Sequence, residues 1–586
     1  MLSRLRTVIS ADALIAATIF VGTLTALLAT SRDIAMAFDE GFTVDREITL
    51  AEWFDGLWHP APGWTRSDYF RPEVLEECWR FSRKEPDGHP PFYALLGLAG
   101  WWASRGWADP LTSYRFGPMV LTAATAGAIG FFLSRRYGRI AGITGSLALV
   151  LSPRMFTHAH YAHYDMPVTC LWLLAQMAFV KSVHAARWAP AFGFGLGLAA
   201  ATKFTGWFAL APALGWWAIF EGLPLLRRGL RGIRLHGGPR SDRPAPPLPP
   251  GLPATRALLI GVPLAAMVLY AVQPAWWAHP WRGVSRFLVS NLTREQSVPV
   301  TSLYLGTVYR FALPWHNTIV LTAVTTPVSI VVLGLLGLAV ALARGRSDRD
   351  GLIWPLSWSV LMIVRALPDA PGHDVERLLL PSLASLAVLA GIGAGWLAGR
   401  ARTGWMTRFA LLLPVLPAGE CLAGLVPTYP YQLSYYSAAV GGLPGAERMG
   451  FEETYYWDTL GPEFLGWVEA ESHRRPTALA FPIGLVNIMI LRDWGVFPRK
   501  VKVAGLDRGV ASPDYVLQRN RGIYAPCDWW LERHGHPRFV IRRQGVDLLR
   551  VYPAAEFEQA VESTRGQPGV LRSSERPTWG LGGGKD

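Results

Sequence analysis

Apolar residues gather in runs of about 17 to 25 between Ala13 and Leu425, the length a helix needs to cross a bilayer core. Eleven such runs are predicted as spans, at approximately 12–31, 116–133, 140–157, 166–184, 189–203, 205–220, 257–273, 318–343, 352–367, 378–398 and 408–427. Pro and Gly inside them are tolerated because neighbouring helices can satisfy the freed backbone groups. Residues 90–104 are left out. This run is short, opens with Pro90-Pro91 and carries Trp101 and Trp102, which suits a re-entrant or interfacial segment.

The positive-inside rule supports that omission. With the N-terminus inside, the cytoplasmic loops receive Arg135, Arg136 and Arg139, then Lys181 and Arg187, then the Arg-rich 221–256 loop, then Arg344, Arg346 and Arg349, and finally Arg400, Arg402 and Arg408. Counting 90–104 as a span would move the first cluster to the other side. An odd number of spans places the C-terminus outside, so 32–115, 274–317 and 428–586 are expected on the extracytoplasmic face. The division is therefore a helical membrane part, 1–427, and a tail, 428–586. In the tail the apolar runs give way to short alternating pieces, Phe539-Val540-Ile541 and Leu548-Leu549-Arg550-Val551, between turn-rich stretches. The expected fold is a polytopic α-helical membrane protein with a small C-terminal extracytoplasmic α/β domain. The Pro-rich piece 244–253 reads as a stiff cytoplasmic loop.

Length alone, 586 residues, would allow about three or four soluble domains. Composition excludes them: 51% of residues are hydrophobic and only 17% are charged. The net charge of +13 would suggest nucleic acid in a soluble chain, but here the Arg residues sit in short loops between apolar runs, so no nucleic-acid partner is implied. Four cysteines rule out a disulfide framework, with Cys170 and Cys421 in apolar runs and Cys78 and Cys527 on the outer side. No small-residue cleavage site follows the first run, which is expected to be an uncleaved span.

Candidate chemistry collects at the outer ends of the spans. Asp39-Glu40-Gly41 follows the first span closely, where carboxylates at a bilayer interface suggest a site and Asp can act as a general base; the bland alternative is that they cap the next helix. His89-Pro90-Pro91 places a His at headgroup depth. His158 to Asp165 (HAHYAHYD) offers His160 and His163 as weak metal candidates, without the i, i+4 pairing of a helical metal site, and sets Asp165 on the same face as Asp39. Lys203 lies between two apolar runs, where an ammonium needs an anion or must snorkel to water. Arg365, His373, Asp374, Glu376 and Arg377 crowd one outer loop and could bind a phosphate or each other.

Taken together, FDEG at 38–41, HPPFY at 89–93, YAHYDMP at 161–167 and TKF at 202–204 resemble the GT-C superfamily of polyprenyl-phosphate-sugar-dependent glycosyltransferases, in particular its protein O-mannosyltransferase and aminoarabinose transferase branches. The likeness spans roughly residues 10–400 and lies in the order of the motifs and their topology. YPYQLSYYSAAVGG and FEETYYWDTLG resemble the C-terminal region of bacterial members. Some relatives place Lys before the Pro-Pro pair, where this chain has His89.

The resemblance implies transfer of a sugar from a polyprenyl phosphate to an acceptor hydroxyl on the outer face of the cell membrane. Asp39 would be the base, with Asp165 orienting acceptor or sugar and Glu40 holding Asp39 or a cation. Lys203, with His89, His373 and Arg377, would hold the donor phosphate. A single displacement, and hence inversion, needs one base and an anion clamp. No cofactor beyond the lipid-linked sugar is implied, and a divalent metal is not indicated. The acceptor could be a lipid, a glycan or a protein. The principal alternative is a polytopic transporter or lipid flippase, which would place charges near the bilayer midplane and show inverted halves.

Overall fold

The computed structural model describes residues 10–83, 85–232, 251–293, 302–309, 311–481, 485–505, 514–518 and 525–567. Most of the Pro-rich piece 244–253 lies outside them. The chain opens with α1 (Ala11–Thr30), α2 (Phe38–Trp58), α3 (Pro72–Trp79), α4 (Phe92–Ser104), α5 (Pro110–Tyr137), α6 (Arg139–Leu151), α7 (Pro153–His158), α8 (Asp165–His184) and α9 (Ala189–Ala200). Among the described residues, seven helices are long and apolar enough to cross a membrane: α1, α5, α8, Phe204–Arg228, Pro253–Val272, Arg377–Ala398 and Gly404–Thr428.

The eleven predicted runs are all largely helical, but several are broken. α6 stops at Leu151, because the residue before a proline is pushed out of the α region, and Pro153 then opens α7 as its first helical residue. Pro327 splits the 318–343 run into Asn317–Thr325 and Val328–Ala343 in the same way. α9 has only 12 residues. Length therefore qualifies fewer helices than hydropathy selects.

Helix α4 has 13 residues and is not among the seven. It packs on α5 through backbone contact. A Cβ at Gly100 would lie 2.3 Å from the Gly117 nitrogen, so glycine is required for this approach. Two acids inside apolar helices are explained as caps on neighbouring ones. Glu221 accepts from the Ala254 and Thr255 amides at 2.8 Å each, at the start of Pro253–Val272. Glu420 accepts from the Val328 and Ser329 amides at 2.7 and 2.8 Å. A carboxylate there satisfies free N–H groups and meets the positive end of the helix dipole.

The tail carries strands β3 (Ala478–Phe481), β4 (Lys502–Gly505), β5 (Asp514–Gln518), β6 (Phe539–Arg543) and β7 (Val546–Pro553), after a small hairpin of β1 (Ser302–Tyr304) and β2 (Thr307–Tyr309) earlier in the chain. They form one sheet in the order β4-β3-β5-β7-β6. β3 pairs in parallel with β4 and β5, whereas β7 runs antiparallel to β5 and β6. The two alternating pieces noted in the sequence face each other, Phe539 opposite Val551 and Ile541 opposite Leu549. The stretch before the sheet is built into the helical body: the Ser437 amide donates to Val324 O at 2.8 Å, and the Phe38 amide to Tyr456 O at 2.9 Å.

Candidate active site

Asp39 and Glu40 occupy the first turn of α2, where the helix dipole favours acids, but they face opposite environments. Glu40 turns inward and is saturated. Its carboxylate accepts from Arg115 Nε and Nη2 at 2.8 and 2.7 Å, from the Ala162 amide at 2.8 Å and from the Ala37 amide at 3.1 Å, with both charged side chains at 0% exposure. Arg115 also donates to Ser31 O, Ile34 O and Ala35 O at 2.8–2.9 Å, so this bidentate pair ties the α1–α2 turn to α5. The capping role open to either acid falls to Glu40.

Asp39 faces away from Arg115, toward the start of α8 and Arg377. Its Oδ2 accepts from Arg377 Nη1 at 2.7 Å, Tyr164 Oη at 2.7 Å and Tyr456 Oη at 2.9 Å, and lies 3.6 Å from His163 Nε2. Its Oδ1 has no hydrogen-bond partner among the described residues, and the side chain is 20% exposed. Burial alone would raise the Asp39 carboxyl. Arg377, His163 and Tyr164 outweigh it and hold the group well below the usual carboxylate range. Asp39 is thus an anchored carboxylate with one oxygen open.

The other charges join the same cluster. Asp165, the first residue of α8, pairs through Oδ1 with Lys203 Nζ, and its Oδ2 lies 3.1 Å from His163 Nδ1 and 3.8 Å from Arg377 Nε. Lys203 also stands over the Tyr164 ring, 4.9 Å from its centroid. Arg377 reaches Asp374 with Nη2 at 3.1 Å and lies 4.5 Å from the Tyr456 ring centroid. Three carboxylates, one lysine and one arginine, supplied by four separate parts of the chain, form one linked cluster in which Arg377 pairs with Asp39 and Asp374 and lies 3.8 Å from Asp165, and Asp165 pairs with Lys203.

A second buried layer holds the turn that carries Arg377. Arg154 of α7 pairs with Glu376 at 2.5 Å, Tyr455 Oη donates to Glu376 at 2.7 Å, and His158 Nε2 lies 2.8 Å from Tyr455 Oη. Asp374 and Val375 stand at φ +58° and +49°, and Tyr456 and Trp457 at +68° and +58°. Such backbone is costly for residues with a Cβ and persists only where the surroundings over-determine it. Here those surroundings are the ion pairs and the packed tyrosines.

The structure therefore brings together Asp39, Asp165, Lys203 and Arg377, with Glu40 directly behind them. His163 joins them as a neighbour of both carboxylates. His160 does not: its ring meets Thr30 Oγ1 and Phe156 O, each at 2.8 Å, facing α1. No group of three His, Cys, Asp or Glu side chains placed to hold a metal is found among the described residues. The His89 ring packs on Tyr164, centroids 3.9 Å apart, so it borders the cluster, and His373 is buried one residue before Asp374. Cys78 and Cys527 are not joined in a disulfide.

Sequence reasoning missed Tyr164, Tyr456 and the Arg154–Glu376 pair as parts of the site. Arg154 had a usable signal, since a lone cation in an apolar run demands a partner. Tyr456 had none, lying in an aromatic-rich tail 417 positions from Asp39.

Comparison with known proteins bears on this arrangement. Residues 101–231, which contain YAHYDMP and TKF, match the family described as Dolichyl-phosphate-mannose-protein mannosyltransferase, so the GT-C resemblance is borne out over that stretch. No curated protein matches the chain. Among solved structures, ArnT from Cupriavidus metallidurans bound to undecaprenyl phosphate is similar at 16% identity, over 93% of this chain and 99% of that one, with a TM-score of 0.43. The Archaeoglobus fulgidus oligosaccharyltransferase in its apo form is similar at 12% identity, over 94% and 77%, with a TM-score of 0.46. Likeness at these scores carries no correspondence between residues.

Proposed function

We propose that the protein is an integral-membrane, inverting glycosyltransferase that moves a sugar from a polyprenyl-phosphate donor to an acceptor hydroxyl on the extracytoplasmic face of the cell membrane. In this reading the N-terminus is cytoplasmic, 1–427 is the catalytic membrane part, and the tail 428–586 lies outside. The observation that carries it is the cluster itself: an anchored carboxylate with one open oxygen stands beside two buried cations at the ends of the helices. The family match over 101–231 agrees with a lipid-phosphate sugar as donor.

The geometry supports the following chemistry. Asp39 Oδ1 takes the proton of the acceptor hydroxyl as that oxygen attacks the anomeric carbon from the side opposite the phosphate. The bond from that carbon to the phosphate oxygen breaks, and its electron pair leaves with the polyprenyl phosphate. The donor phosphate is a monoanion before transfer and gains a second ionisable oxygen as the sugar departs, so nearby cations favour the transition state over the bound donor. Lys203 and Arg377 fill that role. Asp165 takes one of the three ammonium donors of Lys203, which fixes the cation while leaving it able to meet a phosphate. His89 and His373 flank the donor phosphate. Glu40 holds the first turn of α2 and takes no part in proton transfer.

The test is consumption of donor by the protein in native membrane vesicles, which carry candidate lipid, glycan and protein acceptors, offered polyprenyl-phosphate-linked mannose, aminoarabinose, galacturonic acid and glucose in turn. Release of polyprenyl phosphate from one of them is expected. Release from none would overturn the reading.

A further inference from the structure

Among the residues around Asp39, Tyr456 comes from the C-terminal region and has no place in the chemistry above. Its hydroxyl donates to Asp39 Oδ2 at 2.9 Å, and the same oxygen lies 2.5 Å from His163 Nε2. Burial raises the phenol well above its ordinary value, so it stays a donor. A hydroxyl whose one proton goes to Asp39 must accept from the ring nitrogen, so His163 presents Nε2–H to it. The Tyr456 ring also lies under the Arg377 guanidinium, 4.5 Å to the centroid. One side chain therefore touches the base and stacks on an anion-binding cation.

The rest of the C-terminal region supports that position. The Tyr456 carbonyl accepts from the Phe38 amide at 2.9 Å, one residue before the base. Asn487 Nδ2 donates to Ala37 O at 2.6 Å and Met36 O at 3.1 Å, gripping the same turn from a second tail segment. The backbone at Tyr456 stands at φ +68°, a strain maintained where the side chain is needed in one place.

We infer that Tyr456 is a positioning residue for the transfer step, through which the C-terminal region completes the active site: it fixes Oδ2 of Asp39 and the plane of Arg377, and so leaves Oδ1 as the oxygen that meets the acceptor. The inference rests on the transferase reading. The groups facing Asp39 are Arg377, His163, Tyr164 and Tyr456, with Asp165, Lys203 and Asp374 behind them and Glu40 turned away to Arg115.

Tyr456→Phe keeps the ring under Arg377 and removes only the hydroxyl. With the donor that the wild type consumes, it should lower kcat by about tenfold or more while KM for the donor stays within about twofold. Losing a donor to the charged carboxylate raises the Asp39 pKa, so the acid limb of the kcat profile should move to higher pH, which a merely structural role would not do. Independently of any donor, a cycle of Asp39→Asn and Tyr456→Phe read by thermal unfolding of the full chain in liposomes should be less than additive. Additive losses, or wild-type kcat with an unmoved acid limb, would overturn the inference. An inactive wild type would instead overturn the transferase reading, leaving the cycle to judge the contact.

Discussion

Among single residues, burial raises both the Asp39 and the Asp458 carboxyl, and the charges and donors around each decide the net shift. Asp39 has three donors on one oxygen and is held ionised. Asp458, two residues beyond Tyr456, is more deeply buried and accepts from Thr454 Oγ1 at 2.7 Å on Oδ1, while its Oδ2 has no side-chain partner among the described residues. Burial pushes its carboxyl up to about 7, against the lowering effect of the Thr454 hydroxyl and of Arg154. In the unfolded chain the same group titrates near about 3.9. Between those values the folded state holds the extra proton. The contribution to stability is therefore complete below about pH 4 and is lost as the pH rises through about 7. Asp458→Asn keeps the Thr454 hydrogen bond and cannot ionise. It should leave stability at pH 4 nearly unchanged and raise it at pH 8 by on the order of a few kcal/mol, measured as a shift in thermal unfolding. A gain equal at both pH values would assign the effect to packing.

At the scale of elements, the site depends on how the start of α2 is held, and one contact has no slack. A Cβ at Gly41 would fall 2.0 Å from Asn487 Oδ1 and 3.1 Å from the Asn487 amide nitrogen. Gly41→Ala must push the Asn487 carboxamide off the Met36 and Ala37 carbonyls. The expected loss is about 1–3 kcal/mol, as for overpacking elsewhere. In an Asn487→Ala background most of that loss should vanish, a coupling that thermal unfolding of the four proteins reads directly. These elements also explain what was legible. FDEG, YAHYDMP and TKF each lie beside an apolar run, so charge next to hydropathy marked Asp39, Asp165 and Lys203. Arg377 was one of five polar groups in a single loop, where spacing could not separate the residue that meets Asp39 from Glu376, which pairs with Arg154. His163 was visible but was given metal chemistry, because its partner Tyr456 is distant in the chain. The helix breaks at Pro153 and Pro327 escaped a window average, which registers hydropathy and is blind to one lost backbone donor.

On the scale of the whole molecule, the tail contributes to the same centre as the membrane helices, so both must face one side. The Arg-rich loops lie at the opposite helix ends: Arg136 at the end of α5 meets Asp348 and Asp350 at 2.6 and 2.8 Å, away from Asp39 at the start of α2. A reporter fused after Pro430 should therefore be active outside the cytoplasm, and one fused at Gly238 inside. The reverse result at either point would break the arrangement, because the residues around Asp39 could not then share a face with the tail.

In the proposed reaction this cluster transfers a sugar, with Asp39 as its base. That role is tested by single-turnover reaction of wild type and Asp39→Asn in native membrane vesicles, which carry the acceptor, with the donor the wild type consumes, reading released polyprenyl phosphate and the anomeric configuration of the product. Inverted product is expected from the wild type, and a rate at least about a hundredfold lower in Asp39→Asn with donor binding little changed. Near-normal turnover by a folded Asp39→Asn protein, or product of retained configuration, would contradict it.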